Sequence, residues 1–213
     1  MRKQVFAFVL FMLACPLLRA ADTNFLTSVS PNLKKFLIDH RAAMKVLTNA
    51  LAEAFSNRTV RLYYYYSYDP DERRAGHFYP NTAGMPDVAI CVAQDSYPVD
   101  EFIGVLYETL NSKGQKRFQE LTEKARKETI SRAEFAKGID RVEFDALIST
   151  RDLLLHLGLS KKEIKRSHYY HYFADMPTDF DSYLSYRRSL FPANHDPMEI
   201  YESQYDLLRK SEP

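Results

Sequence analysis

The sequence predicts an α+β fold that is mostly helical, with a small antiparallel or mixed sheet. Three observations lead to this prediction. Apolar residues recur at helical spacing over most of the chain from residue 31 onwards. Residues 59–94 instead hold short runs of β-branched, aromatic and continuous apolar residues, which are typical of strands. The composition, 46% hydrophobic and 27% charged over 213 residues, predicts one domain with one sizeable core.

The first twenty residues have the pattern of a secretory signal peptide. Arg2 and Lys3 give a positive start, residues 5–14 are apolar, and Ala20 supplies a small residue for cleavage. The apolar stretch is too short for a membrane span. We therefore expect residues 1–20 to be removed and the protein to be exported, either to the periplasm or out of the cell.

The mature chain, residues 21–213, is expected to form a single α+β domain without a transmembrane segment. Removal of the signal takes away three basic residues and no acidic ones, so the net charge falls from +1 to −2. This balance argues against a nucleic-acid binder, which usually carries a basic excess. Cys91 becomes the only cysteine, which excludes an intrachain disulfide and favours a small buried side chain. A lipoprotein anchored through Cys15 is the alternative localisation.

Residues 31–56 predict the first helix, with Ser30 as its N-cap. His40 falls on its apolar stripe, where a packed core histidine is favoured over a ligand. Strands are predicted over residues 59–68, 77–79 and 88–93. The tyrosines at positions 63 to 66 alternate faces of the first strand, which allows either an amphipathic strand or a tyrosine-lined groove for a peptide or glycan.

The remaining chain predicts helices over residues 98–112, 115–128, 131–156, 179–190 and 196–209. Ser131 with Glu134 three residues later is a capping-box pattern at the start of the longest helix. Glu143 lies in the middle of that helix, four residues from both Ile139 and Leu147. Because an unpaired buried carboxylate costs several kcal/mol, Glu143 is expected to be buried against a polar partner.

His168 and His171 are three residues apart in a tyrosine-rich stretch. Histidines at this spacing on a helix can share one metal ion, so they are the weak candidates for a metal site. Packing within an aromatic cluster is the alternative. No third ligand is placed beside them by the sequence, so we expect neither a bound metal nor a cofactor.

Residues 59–156 resemble the zincin metallopeptidases, specifically those with a glutamate as the third zinc ligand. The resemblance rests on the strand at 88–93, the helix carrying Glu108 and the later helix carrying Glu143. In that family His-Glu-x-x-His follows an edge strand, binds zinc and activates water. Here Tyr107 and Asn111 stand at the histidine positions. The resemblance therefore implies a retained fold with a degenerate site, followed by a helical part at 157–213.

Tyr107, Glu108, Asn111 and Glu143 are thus the degenerate-site candidates, with Tyr107 and Asn111 expected to hydrogen-bond Glu143. The alternative is that Tyr107 and Asn111 are ordinary exposed helix residues. The function predicted from this reasoning is a non-catalytic exported protein that binds a protein, peptide or glycan. Two further classes stay open: an active metal-dependent hydrolase with an atypical site, and a structural envelope or interaction protein of unrelated fold.

Overall fold

The computed structural model describes residues 27–56, 58–65, 76–79, 87–93, 97–159, 175–191 and 196–210. The predicted fold class is confirmed, because helices dominate and three strands form a small mixed sheet. The signal peptide, His168 and His171 lie outside the described residues. Over the described part of the chain, no helix is long and apolar enough to cross a membrane.

The chain divides into two compact units, residues 1–105 and 106–213. The single domain expected from the sequence stays a prediction. The helices are α1 (Pro31–Asp39), α2 (Arg41–Ala54), α3 (Pro98–Asn111), α4 (Gln115–Arg126), α5 (Arg132–His156), α6 (Phe180–Ser189) and α7 (Glu199–Lys210), and the strands are β1 (Val60–Tyr65), β2 (Gly76–Phe78) and β3 (Val88–Ala93).

In the first unit, the prediction of a single helix over residues 31–56 is wrong, because the helix is interrupted at His40. That residue leaves helical geometry (φ −116°, ψ 74°) while its N–H donates to the carbonyl of Phe36. Its ring packs on the Phe36 ring, with centroids 4.5 Å apart. The predicted apolar stripe nevertheless stays buried on both sides of the break, since each helix turns its own apolar face inward.

The sheet explains why the strand at 88–93 is apolar throughout. Of the three described strands, β3 is central, parallel to β1 and antiparallel to β2. The parallel pair begins at a clamp in which Asp87 Oδ2 accepts from the Thr59 N–H at 2.6 Å and from its hydroxyl at 2.9 Å. Cys91 is a half-buried thiol on β3. On β1, the tyrosines at 63, 64 and 65 are all half-buried.

The second unit is built around α5, whose termini match the sequence signals. The Ser131–Glu134 capping box is confirmed at its start. Gly158, just beyond its end, has φ +63°, a left-handed conformation that favours glycine. A Cβ at Gly138 would lie 2.7 Å from Leu121 Cδ2, so this glycine permits the close approach of α4 to α5.

Two hydrophobic clusters lie on α5. One joins it to α4 and α7 through Ala125, Phe135, Ala136, Ile139 and Tyr201. The other joins it to α6 and the segment before it through Phe144, Leu147, Met176, Phe180 and Tyr183. Helices α4 and α7 cover one face of α5, and α6 covers another. The polar residues of α5 at positions 140 and 143 therefore lie between the covering helices.

Candidate functional site

Asp140 and Arg187 form the most deeply buried charge pair that is described in the second unit. Asp140 lies on α5 with its side chain 0% exposed, and the Arg187 guanidinium from α6 contacts its Oδ1. Burial of a lone carboxylate would cost several kcal/mol, so the cation is required for Asp140 to stay ionised there. The pair therefore fixes α6 on α5 at this level.

Tyr201 of α7 connects this pair to Glu143. Its hydroxyl donates to Glu143 Oε2 and accepts from Arg187 Nη2 at 3.4 Å. The guanidinium also lies over the Tyr201 ring, 5.4 Å from its centroid. Asp140, Arg187, Tyr201 and Glu143 together form what we call the α5 network. Since Arg187 donates to the Tyr201 hydroxyl and that hydroxyl donates to Glu143, the network orients the Glu143 carboxylate.

Tyr107 of α3 lies in the field of the same carboxylate. Burial raises the pKa of Tyr107 well above that of a free phenol, and the negative charge of Glu143 raises it further. The pKa of Tyr201 is raised for the same two reasons. Both phenols therefore keep their protons at neutral pH, and the Tyr201 hydroxyl acts as a hydrogen-bond donor.

The predicted bond from Tyr107 to Glu143 stays a prediction, whereas the predicted burial of Glu143 needs correction. The residue is half-buried rather than largely buried, and its described hydrogen bond comes from Tyr201, which the sequence had not indicated. Glu108 is buried. Asn111 is buried too, but its Oδ1 has no hydrogen-bond partner, and a bond from Asn111 to Glu143 is not among the described contacts. The alternative that Asn111 is an exposed helix residue is wrong as well.

An open groove of about 620 Å³ exposes Glu143 to solvent between α4, α5 and α7. We call it the α4–α5–α7 groove. Most of the described residues that line it are apolar or aromatic, and Glu143 is the one charged side chain among them. The residues that line it are Phe118, Thr122, Phe135, Ile139, Glu143, Tyr201, Gln204, Leu207 and Leu208.

The first unit contains a separate polar cluster formed by Ser30, Tyr64 and Glu101. The Ser30 hydroxyl donates to Glu101 Oε2 at 2.6 Å and accepts from the N–H of Leu33, which makes Ser30 the N-cap of α1. The Ser30 N–H donates to the Tyr64 hydroxyl. The cluster thus joins the start of α1, strand β1 and the first turn of α3.

Glu101 is 1% exposed, and among the described residues it makes no ion pair. Burial raises the pKa of its carboxyl group to about 7, although hydrogen bonds from Ser30 and Tyr64 act in the opposite direction. Burial and the nearby Glu101 likewise raise the pKa of Tyr64 to about 12. This carboxyl group therefore changes its charge near neutral pH.

Within the described ranges, no group of three or more histidine, cysteine, aspartate or glutamate side chains is arranged to hold a metal ion. The weak metal candidates His168 and His171 lie outside those ranges, so the structure leaves that prediction untested. Tyr107, Glu108, Asn111 and Glu143 belong to the second unit, but the zincin-like resemblance itself stays a prediction.

Besides the bond from Tyr201 to Glu143, sequence reasoning missed the Asp140–Arg187 pair and the cluster around Glu101. Asp140 could have been found, because Ala136 and Phe144 lie four residues on either side and place it on a buried face, as Glu143 had been placed. Its partner Arg187 had no such signal, since α6 is short and carries several charges. The meeting of Ser30, Tyr64 and Glu101 had no signal in the sequence, because each lies in a different element.

Comparisons with protein-family models, with characterised proteins and with solved structures return no match. The function of the chain is therefore inferred from its own residues.

Proposed function

We propose that the chain is an exported, non-catalytic binding protein, and that it binds a segment of a protein or peptide in the α4–α5–α7 groove. The observation that carries this proposal is an open, mostly apolar groove with one oriented carboxylate in its wall. Apolar side chains of a ligand would gain about 25 cal/mol for each Å² of surface removed from water there.

The lining favours a peptide over a glycan. Phe118, Leu207 and Leu208 offer aliphatic and aromatic surface, whereas a glycan needs many polar partners for its hydroxyl groups. Thr122 and Gln204 add a hydroxyl and an amide, which suit the N–H and C=O groups of a peptide backbone. Leu207 is 66% exposed, so it is accessible to a ligand without any rearrangement.

The non-catalytic character of the proposal rests on the protonation of the site. Tyr107 and Tyr201 have raised pKa values and so keep their protons. Glu143 is already oriented by the hydrogen bond from Tyr201. Such an arrangement suits recognition better than proton abstraction or metal binding.

Selection of peptides from a random display library tests the proposal. Purified protein is used as bait, and Leu207→Gln is the variant with an altered groove. Leu155→Gln is the matched control, because Leu155 is equally exposed, at 68%, and lies on α5 outside the groove lining. We expect synthetic copies of the enriched peptides to bind the wild type and Leu155→Gln alike, and to bind Leu207→Gln at least fivefold more weakly.

Equal binding of the enriched peptides to wild type and Leu207→Gln would place the ligand elsewhere and overturn the proposal. Maltohexaose serves as the glycan probe in the same assay. If the oligosaccharide binds in a Leu207-dependent manner and no peptide is enriched, the peptide class of ligand is wrong.

A further inference from the structure

We infer that the ligand of the α4–α5–α7 groove presents a basic group, a lysine or arginine side chain, to Glu143 beside its apolar side chains. This inference rests on the proposed function and names the chemistry of the ligand. It follows from the charge of the groove and from the way in which the α5 network holds Glu143.

The charge in the groove wall is of one sign. Among the described lining residues, Glu143 is the one side chain that is charged at neutral pH, because the Tyr201 phenol keeps its proton. An anionic ligand would be repelled by it. A neutral apolar ligand would displace water from the carboxylate without replacing its hydrogen bonds, which costs free energy. A cation replaces the lost water with a charge-assisted hydrogen bond and so offsets that cost.

Arg187 does not remove this preference. Its guanidinium lies behind Tyr201 and contacts the fully buried Asp140, so its positive charge is compensated within the protein. The Tyr201 hydroxyl lies between Arg187 and Glu143, so Glu143 accepts a hydrogen bond from a neutral group rather than from the guanidinium. A carboxylate offers about four acceptor positions, so Glu143 can keep the Tyr201 bond while it accepts from a ligand.

The orientation of Glu143 also favours specific binding. Its carboxylate is held by Tyr201, which is itself held by Arg187, so less side-chain freedom is lost when a ligand binds. An exposed glutamate such as Glu120 on α4 has no comparable support, and its nearest described cation, Lys116, is 4.0 Å away. The groove thus combines an apolar surface with a fixed negative group, which is the complement of an apolar segment that carries a basic residue.

Three capped hexapeptides test the inference. Each contains one tryptophan, two leucines, two glycines and one variable residue, which is lysine, norleucine or glutamate. The protein has no tryptophan, so the fluorescence of the peptide reports binding directly. For the wild type, we expect the lysine peptide to bind about tenfold more tightly than the norleucine peptide, since a charge-assisted bond contributes roughly that much. The glutamate peptide is expected to bind most weakly.

Glu143→Gln should remove the difference between the lysine and norleucine peptides, whereas Glu143→Asp should retain part of it. Glu120→Gln, which changes an exposed carboxylate outside the groove lining, should leave the difference unchanged. Thermal melts of each variant check that it is folded. If a Glu143 variant does not fold, the wild-type ranking of the three peptides and its weakening by salt still decide the matter.

Equal binding of the lysine and norleucine peptides to the wild type overturns the inference and leaves the proposed function standing. The same holds if the preference for lysine survives in Glu143→Gln, because the cation is then recognised elsewhere. If none of the three peptides binds and library selection yields no Leu207-dependent peptide, the proposed function itself fails.

Discussion

The two units bury carboxyl groups in two different ways. In the second unit Asp140 is fully buried against the guanidinium of Arg187. In the first unit Glu101 is almost as deeply buried, but its described partners are the hydroxyl groups of Ser30 and Tyr64. An ion pair allows a carboxylate to stay charged inside a protein, whereas two hydroxyl donors compensate burial only in part.

The two carboxyl groups differ in which property changes on burial. Where a cation is supplied, the carboxylate keeps its charge, and removal of the cation lowers the free energy of unfolding. Where only hydroxyl groups are supplied, the pKa rises, here to about 7, and the response shows as a dependence on pH. We therefore expect the second unit to be destabilised by loss of the cation, and the first unit to be destabilised by a rise in pH.

The largest effect is expected on removing the cation. Arg187→Met leaves the buried Asp140 carboxyl group without its cation, as an unpaired charge or as a group that must take up a proton, so the free energy of unfolding should fall by about 3–5 kcal/mol. Urea denaturation measures this change. Arg188→Met is the control, because Arg188 is adjacent and 72% exposed, and its ion pair with Asp196 should contribute less than about 1 kcal/mol.

The double variant Asp140→Leu with Arg187→Met isolates the cause. Once both charges are gone, nothing charged is left buried, and most of the lost stability should return. If the double variant is as unstable as Arg187→Met alone, packing of Arg187 on Tyr201 rather than its pairing with Asp140 holds the second unit together.

A smaller, pH-dependent effect is expected at Glu101. Its pKa rises from 4.5 to about 7 on folding, so the folded state binds more protons between those values. The free energy of unfolding should therefore fall as the pH rises through that window. Glu101→Gln does not titrate, so its stability relative to the wild type should increase by roughly 3 kcal/mol between pH 4.5 and pH 8. Denaturation curves at several pH values measure the difference.

Asp87→Asn provides a control of opposite sign. Hydrogen bonds from Thr59 lower the pKa of Asp87, so its contribution is present above the unfolded value and is lost as the pH falls. A wild-type curve that does not differ in slope from that of Glu101→Gln above pH 4.5 would show that Glu101 is ionised throughout.

The smallest effect is expected for replacement of the two serine N-caps, Ser30 and Ser131. Ser30 and Ser131 each accept from a backbone N–H of their helix and donate to a glutamate, but the glutamate is buried beside Ser30 and exposed beside Ser131. Replacement of either serine by alanine should cost about 1 kcal/mol for the lost cap. For Ser30→Ala the cost should grow above pH 7, because the hydroxyl stabilises the charged form of Glu101.

The cost of Ser131→Ala should stay constant between pH 6 and pH 8, since the pKa of Glu134 is lowered rather than raised. Parallel pH profiles of the two variants would contradict a buried charge at Glu101. Chemical denaturation in the same buffers provides both profiles.

Local signals in the sequence predicted most of the elements. Strand β3 lies where its apolar run indicated, and α5 begins at the Ser131–Glu134 capping box. These features depend on residues that are neighbours along the chain, so periodicity and capping patterns are enough to find them. The break at His40 was not visible, because the apolar stripe continues across it.

The need of Glu143 for a polar partner follows from the sequence alone, because the position of Glu143 on an apolar helix face depends only on its neighbours along the chain. The partner itself, Tyr201, is visible only in the tertiary structure. The same is true of the pairing of Arg187 with Asp140 and of the contacts that Ser30 and Tyr64 make with Glu101. Each of these contacts joins residues that are 34 or more positions apart, or lie on different helices. Which helix face packs on which is set by the summed packing of whole elements, and no local pattern encodes it.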